Sequence, residues 1–184
     1  MGILRRRLSS AREGIDSLPW IETTGEYAIQ LYDRKNCIAK MWNLETGEEY
    51  TKGMYGWNPP NLGYPYKIGI EWTPDVTDVS DIFARAQIRT VSAGLLSPIA
   101  DTLVNVLGMF SYCHLVSIPD NMFKGCNNIT NFQNCFNQCQ GLTGPTTTID
   151  GLELWEYFPD ANGLGCYAYC TGLSNYNEIP SAWK

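Results

Sequence analysis

The sequence predicts an α/β chain in three parts. A basic N-terminal arm covers 1–20, a β-rich capping region covers 21–75, and a solenoid of short units, each a short helix plus a short strand, covers 76–184. Two observations carry this. The first is a recurring phrase: an apolar residue, an aromatic four positions on, and a small residue three beyond that. It reads Val79, Phe83, Ala86; Val106, Phe110, Cys113; Phe132, Phe136, Cys139; and, more loosely, Gly163, Tyr167, Cys170. Its aromatics recur at intervals of about 26 to 31 residues, a length that belongs to stacked units rather than to ordinary globules. The second is a change of texture near residue 76, before which aromatics alternate with turn formers.

The N-terminus, MGILRRRLSSAREG, carries Arg5, Arg6, Arg7 and Arg12. It has the charge of a signal peptide's first region without the apolar stretch that should follow, so it does not read as a Sec substrate. Arg6 stands where a myristoylation signal wants Ser or Thr. Two readings stay open: a loose basic tail, as termini commonly are, or a docking arm in which these arginines hold the chain on an acidic partner. Over 21–72, Tyr27, Ile29 and Leu31 alternate as a half-buried strand would, Ile38 to Trp42 predicts a second strand, and Lys67 to Trp72 a third. Thr46 and Gly47 mark a turn, and GMYGWNPPNLGYPY, with Pro59 and Pro60, excludes regular structure. Stacked units need such a region, because the first otherwise leaves an apolar face wet.

Within each unit, positions i, i+4 and i+7 share one face of a helix, which predicts about two helical turns. An extended stretch follows: Leu115, Ile118 and Pro119 after Cys113, Leu142 and Pro145 after Cys139, Leu173, Ile179 and Pro180 after Cys170. Phe123, Cys126, Ile129 and Phe132 form a half-length echo.

The stretch IPDNMFKGCNNITNFQNCFNQCQGL, from Ile118 to Leu142, resembles the repeat of BspA-type leucine-rich-repeat surface proteins, and CYAYCTGLSNYNEIPSAWK is similar to their closing repeat in proteins of gut bacteria and their phages. The resemblance runs from about Val76 to Lys184. It implies a leucine-rich-repeat-like solenoid serving as an interaction module on a cell or virion surface, and it is specific for architecture rather than function. Ala86 in place of Cys, Gly163 in place of a bulky residue, and an insertion with Trp155, Tyr157 and Phe158 depart from the pattern.

The 184 residues carry a net charge of −6, which argues against general nucleic-acid binding. No apolar run approaches a membrane span, so no membrane insertion is expected. Seven cysteines admit disulfides, a metal site or buried packing. The odd count counts against the first, and the spacing of Cys135 from Cys139 and of Cys166 from Cys170 against zinc. Ala86, in a slot otherwise held by Cys, favours small apolar fillers. No metal or cofactor is expected.

Catalytic motifs are lacking. His114 is the one histidine, and its side chain should diverge from that of Cys113. Glu48 and Glu49 read as a solvated face, and Asp78 as a helix N-cap beside Asp75 and Asp81. Asn121, Asn127, Asn128, Asn131, Asn134 and Asn137 suit turns, where their side chains satisfy backbone groups.

Recognition then falls to aromatics with polar tips. The candidates are Tyr55, Trp57, Tyr64 and Tyr66 in the loop from Gly53 to Tyr66, and Trp155 and Tyr157 in the insertion, with Tyr169 and Trp183 nearby. Trp183 has a second role open to it, sealing the last unit. The expectation is a non-enzymatic structural or adhesion component of a bacteriophage virion, a capsid- or tail-attached fibre or decoration protein. It would contact other virion proteins or a host-surface protein or glycan, as a homo-oligomer. The alternative is a bacterial cell-surface adhesin or an exported leucine-rich-repeat interaction protein.

Overall fold

The computed structural model describes residues 14–54 and 56–184. A five-stranded antiparallel sheet is built from β1 (Trp20–Thr23), β2 (Ile38–Asn43), β3 (Glu49–Tyr50), β4 (Lys67–Trp72) and β5 (Ile88–Val91), in the order β3-β2-β4-β1-β5. β4 lies at its centre because Ile68, Ile70 and Trp72 bury one alternate set of side chains while Gly69 brings the backbone close to Leu18 and Leu44 on the other face. Met41 pairs with Ile70 on one side, and Ile21 with Ile68 on the other. β5 comes from beyond residue 76 yet pairs with β1, Ile21 opposite Val91, so the sheet takes its last strand from the C-terminal half. Tyr27 to Leu31 is not a regular strand: Leu31 makes a single bridge to Trp57.

A second hairpin joins β6 (Thr148–Ile149) and β7 (Leu152–Glu153). Its two turn residues, Asp150 and Gly151, both have positive φ, at 49° and 85°, the conformation that an Asp-Gly pair favours in two-residue hairpins. One helical turn, α1 (Leu154–Tyr157), follows, with Glu153 and Glu156 capping it reciprocally.

The α/β solenoid of helix-plus-strand units is overturned by these elements. The named strands form antiparallel sheets, and the stretches predicted as helices are runs of tight turns. The hydrogen bonds explain why the spacing misleads. In the first run, the N–H groups of Ile82, Ala84 and Ala86 close local turns onto Val79, Asp81 and Phe83, whereas those of Asp81, Phe83 and Arg85 reach Leu107, Met109 and Ser111 on the next segment. Alternate donors thus point outward along the chain of turns, which no α-helix permits. Left-handed residues interrupt at every fourth place: Asp81 and Arg85, Gly108 and Tyr112, Asn134 and Gln138, Gly165 and Tyr169. The apolar residues still face inward, so their i, i+4, i+7 spacing imitates a helix.

Side chains meet like on like across these turns. The rings of Phe83 and Phe110 stack at 5.3 Å, Phe110 and Phe136 at 5.7 Å, and Phe136 and Tyr167 at 5.5 Å, while Trp72 of β4 meets Phe83 edge-on at 6.1 Å and joins the sheet to the series. Asp78, Asn105, Asn131 and Asn162 are linked by parallel bridges. Each accepts a hydrogen bond from the backbone N–H two residues on, Ser80, Leu107, Gln133 and Leu164. Asp78 therefore closes an Asx turn instead of capping a helix. Asn131→Ala, which removes one such bond, is expected to cost about 1 kcal/mol in a urea titration; no change in midpoint would remove Asn131 from this role.

Candidate binding surface

The aromatics predicted to make contact are placed in different environments. Trp57 is buried, 3% exposed, and its Nε1–H donates to Asp33 at 3.3 Å. Tyr66 is buried too, its hydroxyl donating to the Pro60 carbonyl. Burial, the main cause, pushes the Tyr66 phenol well above its usual range, with Tyr50 adding to it. Tyr64 is half exposed, with its ring edge-on to that of Tyr66 at 6.4 Å. Trp155 is half-buried between Tyr167 and Trp183, and Tyr157 half-buried with its hydroxyl on Asn127. Tyr55 and the arginines at 5, 6, 7 and 12 lie outside the described residues. Of the named loop rings that are described, only Tyr64 faces solvent.

The Gly53–Tyr66 loop is pinned from below. Asp33, whose carboxylate is buried, accepts from the Cys37 N–H at 2.6 Å, the Ile38 N–H at 3.3 Å, Lys52 Nζ at 2.6 Å and the Trp57 indole. Gly56, with φ of 130°, passes so close to Leu31 that a Cβ would lie 1.9 Å from its carbonyl oxygen. Only glycine fits there.

A different surface emerges at the turn tips. Arg85, Tyr112, Gln138 and Tyr169 each occupy the left-handed position just before the buried small residue of the phrase, with φ between 61° and 64°. The N–H groups of Arg85, Tyr112 and Gln138 donate in turn to Ser111, Asn137 and Ala168, which carries the row from one segment to the next. Tyr112 is 48% exposed and Tyr169 61%. The Arg85 guanidinium lies over the Tyr112 ring, 5.0 Å from its centroid.

At the Arg85 end the row opens into a cleft of about 510 Å³, lined among others by Tyr32, Arg34, Lys35, Asp81 and Arg85. Arg34 lies 5.8 Å from the Tyr32 ring centroid. Lys35 is taken up by Asp78 at 2.6 Å and by Ser80. Burial alone would push the Asp78 carboxyl up, but bonds from Lys35 and Ser80 outweigh it and hold the group below its usual range. Beyond Arg85 a second cleft, about 450 Å³, is lined by Tyr112, His114, Gln138 and Gln140 among others. The signal for this surface lay in the sequence: the residue preceding each small member of the phrase must point away from it.

The cysteines turn inward. All seven are buried and unpaired. Cys113, Cys139 and Cys170 do more than fill space: each thiol donates to the carbonyl of the ring residue one segment earlier, Phe83 at 2.8 Å, Phe110 at 3.0 Å and Phe136 at 3.0 Å. Ala86 follows the first ring of the series, so no earlier ring carbonyl awaits a donor there. His114 is exposed while Cys113 is buried. Among the described residues, no group of three His, Cys, Asp or Glu side chains is placed to hold a metal ion, and no helix is long and apolar enough to cross a membrane.

Burial raises the Cys126 and Cys170 thiols to about 12 and Cys37 to about 11, from an ordinary 9.0. Below pH 9 folded and unfolded chains both keep these protons, and the contribution to stability is intact. As pH rises above 9, only the unfolded thiols ionise, up to about 11 for Cys37 and about 12 for Cys126 and Cys170, so each is expected to cost about 1.4 kcal/mol per pH unit within its window. Urea midpoints should fall steeply between pH 9 and pH 11, and less steeply in Cys126→Ala. Parallel slopes for the two proteins would contradict the assignment.

No protein-family model matches the chain, and comparison with curated proteins and with solved structures finds no match either.

Proposed function

We propose that this chain is a structural or adhesion component of a bacteriophage virion, presenting a non-catalytic surface to a host protein or glycan while contacting other virion proteins as a homo-oligomer. The observation that carries the reading is the row Arg85, Tyr112, Gln138, Tyr169: successive turns hold rings and a planar amide outward at equivalent positions, while the thiols and stacked phenyl rings are consumed inside. Flat groups with polar tips give contact area at small entropic cost. A rigid backing supports this, because Arg85, Tyr112 and Gln138 are each tied to the next segment by a backbone hydrogen bond. The setting on a particle rests on the resemblance of the closing stretch CYAYCTGLSNYNEIPSAWK to the last repeat of such proteins in gut bacteria and their phages.

Purified particles from the native source test it. The chain is expected to cosediment with intact virions and to be reached by antibody on them. Recovery only with the host cell envelope would overturn the virion setting in favour of a bacterial surface adhesin.

A further inference from the structure

Within that reading of the chain as an adhesion component, we infer that the cleft between Tyr32 and Arg85, continued along the turn-tip row, binds a carboxylate-bearing carbohydrate of the uronic-acid class. The charge of the cleft points to an anion. The chain is acidic overall, at −6, yet Arg34 and Arg85 both line this one cleft, and no ion pair among the described residues engages either. Of the other charges facing it, Asp33 is held by Lys52 and Lys35 by Asp78, which leaves Asp81, beside Gly108, as one carboxylate without an ion pair among the described residues against the two guanidinium groups. Two guanidinium groups free of carboxylate partners are suited to grip a carboxylate through paired N–H donors.

The neighbouring groups select a sugar rather than a peptide. Each guanidinium is paired with a tyrosine ring, Arg34 with Tyr32 and Arg85 with Tyr112, and both rings remain nearly half exposed. Beyond them lie the side-chain amides of Gln138 and Gln140 and the imidazole of His114. Flat rings offer faces to the C–H side of a pyranose, and amides serve its hydroxyls as donor and acceptor at once. A peptide would want a pocket of aliphatic side chains for an anchoring residue, and the second cleft, lined by Tyr112, Cys113, His114, Gln138, Gln140 and Gly141, offers none. Tyr112 and Tyr169 stand two steps apart, about 10 Å at strand spacing, so an extended chain of sugar rings can meet both.

The test uses the full chain and three probes: a tetramer of galacturonic acid, the same tetramer with its carboxyl groups reduced to alcohols, and a tetramer of glutamate, each followed by calorimetry or by perturbation of amide and indole NMR signals. The acidic tetramer is expected to bind, the reduced one at least tenfold more weakly. Arg34→Gln and Arg85→Gln should each weaken the acidic tetramer about tenfold and leave the reduced one unchanged, and Tyr112→Ala should weaken both. These side chains are exposed, and an unchanged thermal midpoint shows that each variant folds. Equal binding of acidic and reduced tetramers, binding of the glutamate tetramer as tight as that of the uronate, or no uronate binding at all would each overturn the inference. If uronate binding fails in a protein that still cosediments with virions, the inference alone falls. If uronate binds but no particle carries the chain, the virion setting falls and the ligand class stands.

Discussion

Trp183→Ala is expected to lower the free energy of unfolding by about 3–5 kcal/mol, as large-to-small changes of buried rings do. The indole is 6% exposed, packed on Phe132 at 5.5 Å and on Trp155 at 6.3 Å. It also occupies the space a side chain at 163 would take: a Cβ on Gly163 would lie 2.1 Å from the indole ring. The glycine that departs from the recurring phrase is therefore the seat of Trp183. The backbone joins in, since the Tyr167 N–H donates to the Trp183 carbonyl at 2.9 Å, as the N–H of Phe136 does to Cys166 and that of Phe110 to Cys135. Ser181–Trp183 thus stands in for a further turn, taking the Tyr167 N–H on its backbone and laying the indole on Phe132 and Trp155. Removing 181–184 should cost at least as much as Trp183→Ala, and Gly163→Leu should produce a comparable loss by expelling the indole. Combined with Trp183→Ala, Gly163→Leu should add little, because both act on one contact. Urea titrations of the four variants check this, and a loss below about 1 kcal/mol for Trp183→Ala would show that the ring is dispensable.

How much of this was legible depends on which force wrote the pattern. Burial left a clear trace: Phe83, Phe110, Phe136 and Tyr167 were visible as a set by spacing alone, and they stack. The backbone conformation under them was not visible. An apolar residue at i, i+4 and i+7 fits a helix and also fits a turn series with a left-handed residue at every fourth place, and only Gly108 and Gly165 among those places announce positive φ; Tyr112 and Tyr169 do not. Lys67–Trp72 was readable as a strand because apolar residues alternate there, whereas the pairing of β5 with β1 depends on contacts between distant parts of the chain. The Asp150-Gly151 pair suits a hairpin turn, but the strands it joins are only two residues each and leave no alternating pattern to read. At the binding surface, aromatic content was a poor guide. Trp57 and Tyr66 are core residues despite lying in a Pro- and Gly-rich loop, because Asp33 and Pro60 offer buried partners for their polar tips. Arg34, between Asp33 and Lys35, and Arg85, far from it in sequence, had no shared local pattern to mark them; the turns bring them to one cleft.

Asp33→Ala should be the other severely destabilising change, at about 3–5 kcal/mol, the cost of breaking a buried, hydrogen-bonded ion pair by removing one partner. Four donors converge on this carboxylate, and three of them, the Cys37 and Ile38 N–H groups and the Trp57 indole, sit in buried residues where water cannot replace it. Lys52, whose side chain is 28% exposed, can recover solvent, so the loss comes chiefly from the stranded neutral donors. Asp33→Asn separates charge from shape: its amide oxygen can still accept but its NH2 faces donors, and the loss should be intermediate. The consequence reaches the surface, because Asp33 is flanked by Tyr32, Arg34 and Lys35, which line the cleft, and it holds Trp57 beneath the loop. In Asp33→Asn, folded at low temperature, uronate binding should weaken together with a shift of the Trp57 indole NMR signal. A variant that unfolds normally in urea and keeps wild-type binding would show that the carboxylate neither supports the loop nor positions Arg34. A variant that loses stability but keeps binding would leave it a purely structural anchor, with Arg34 held by the backbone of its own turn.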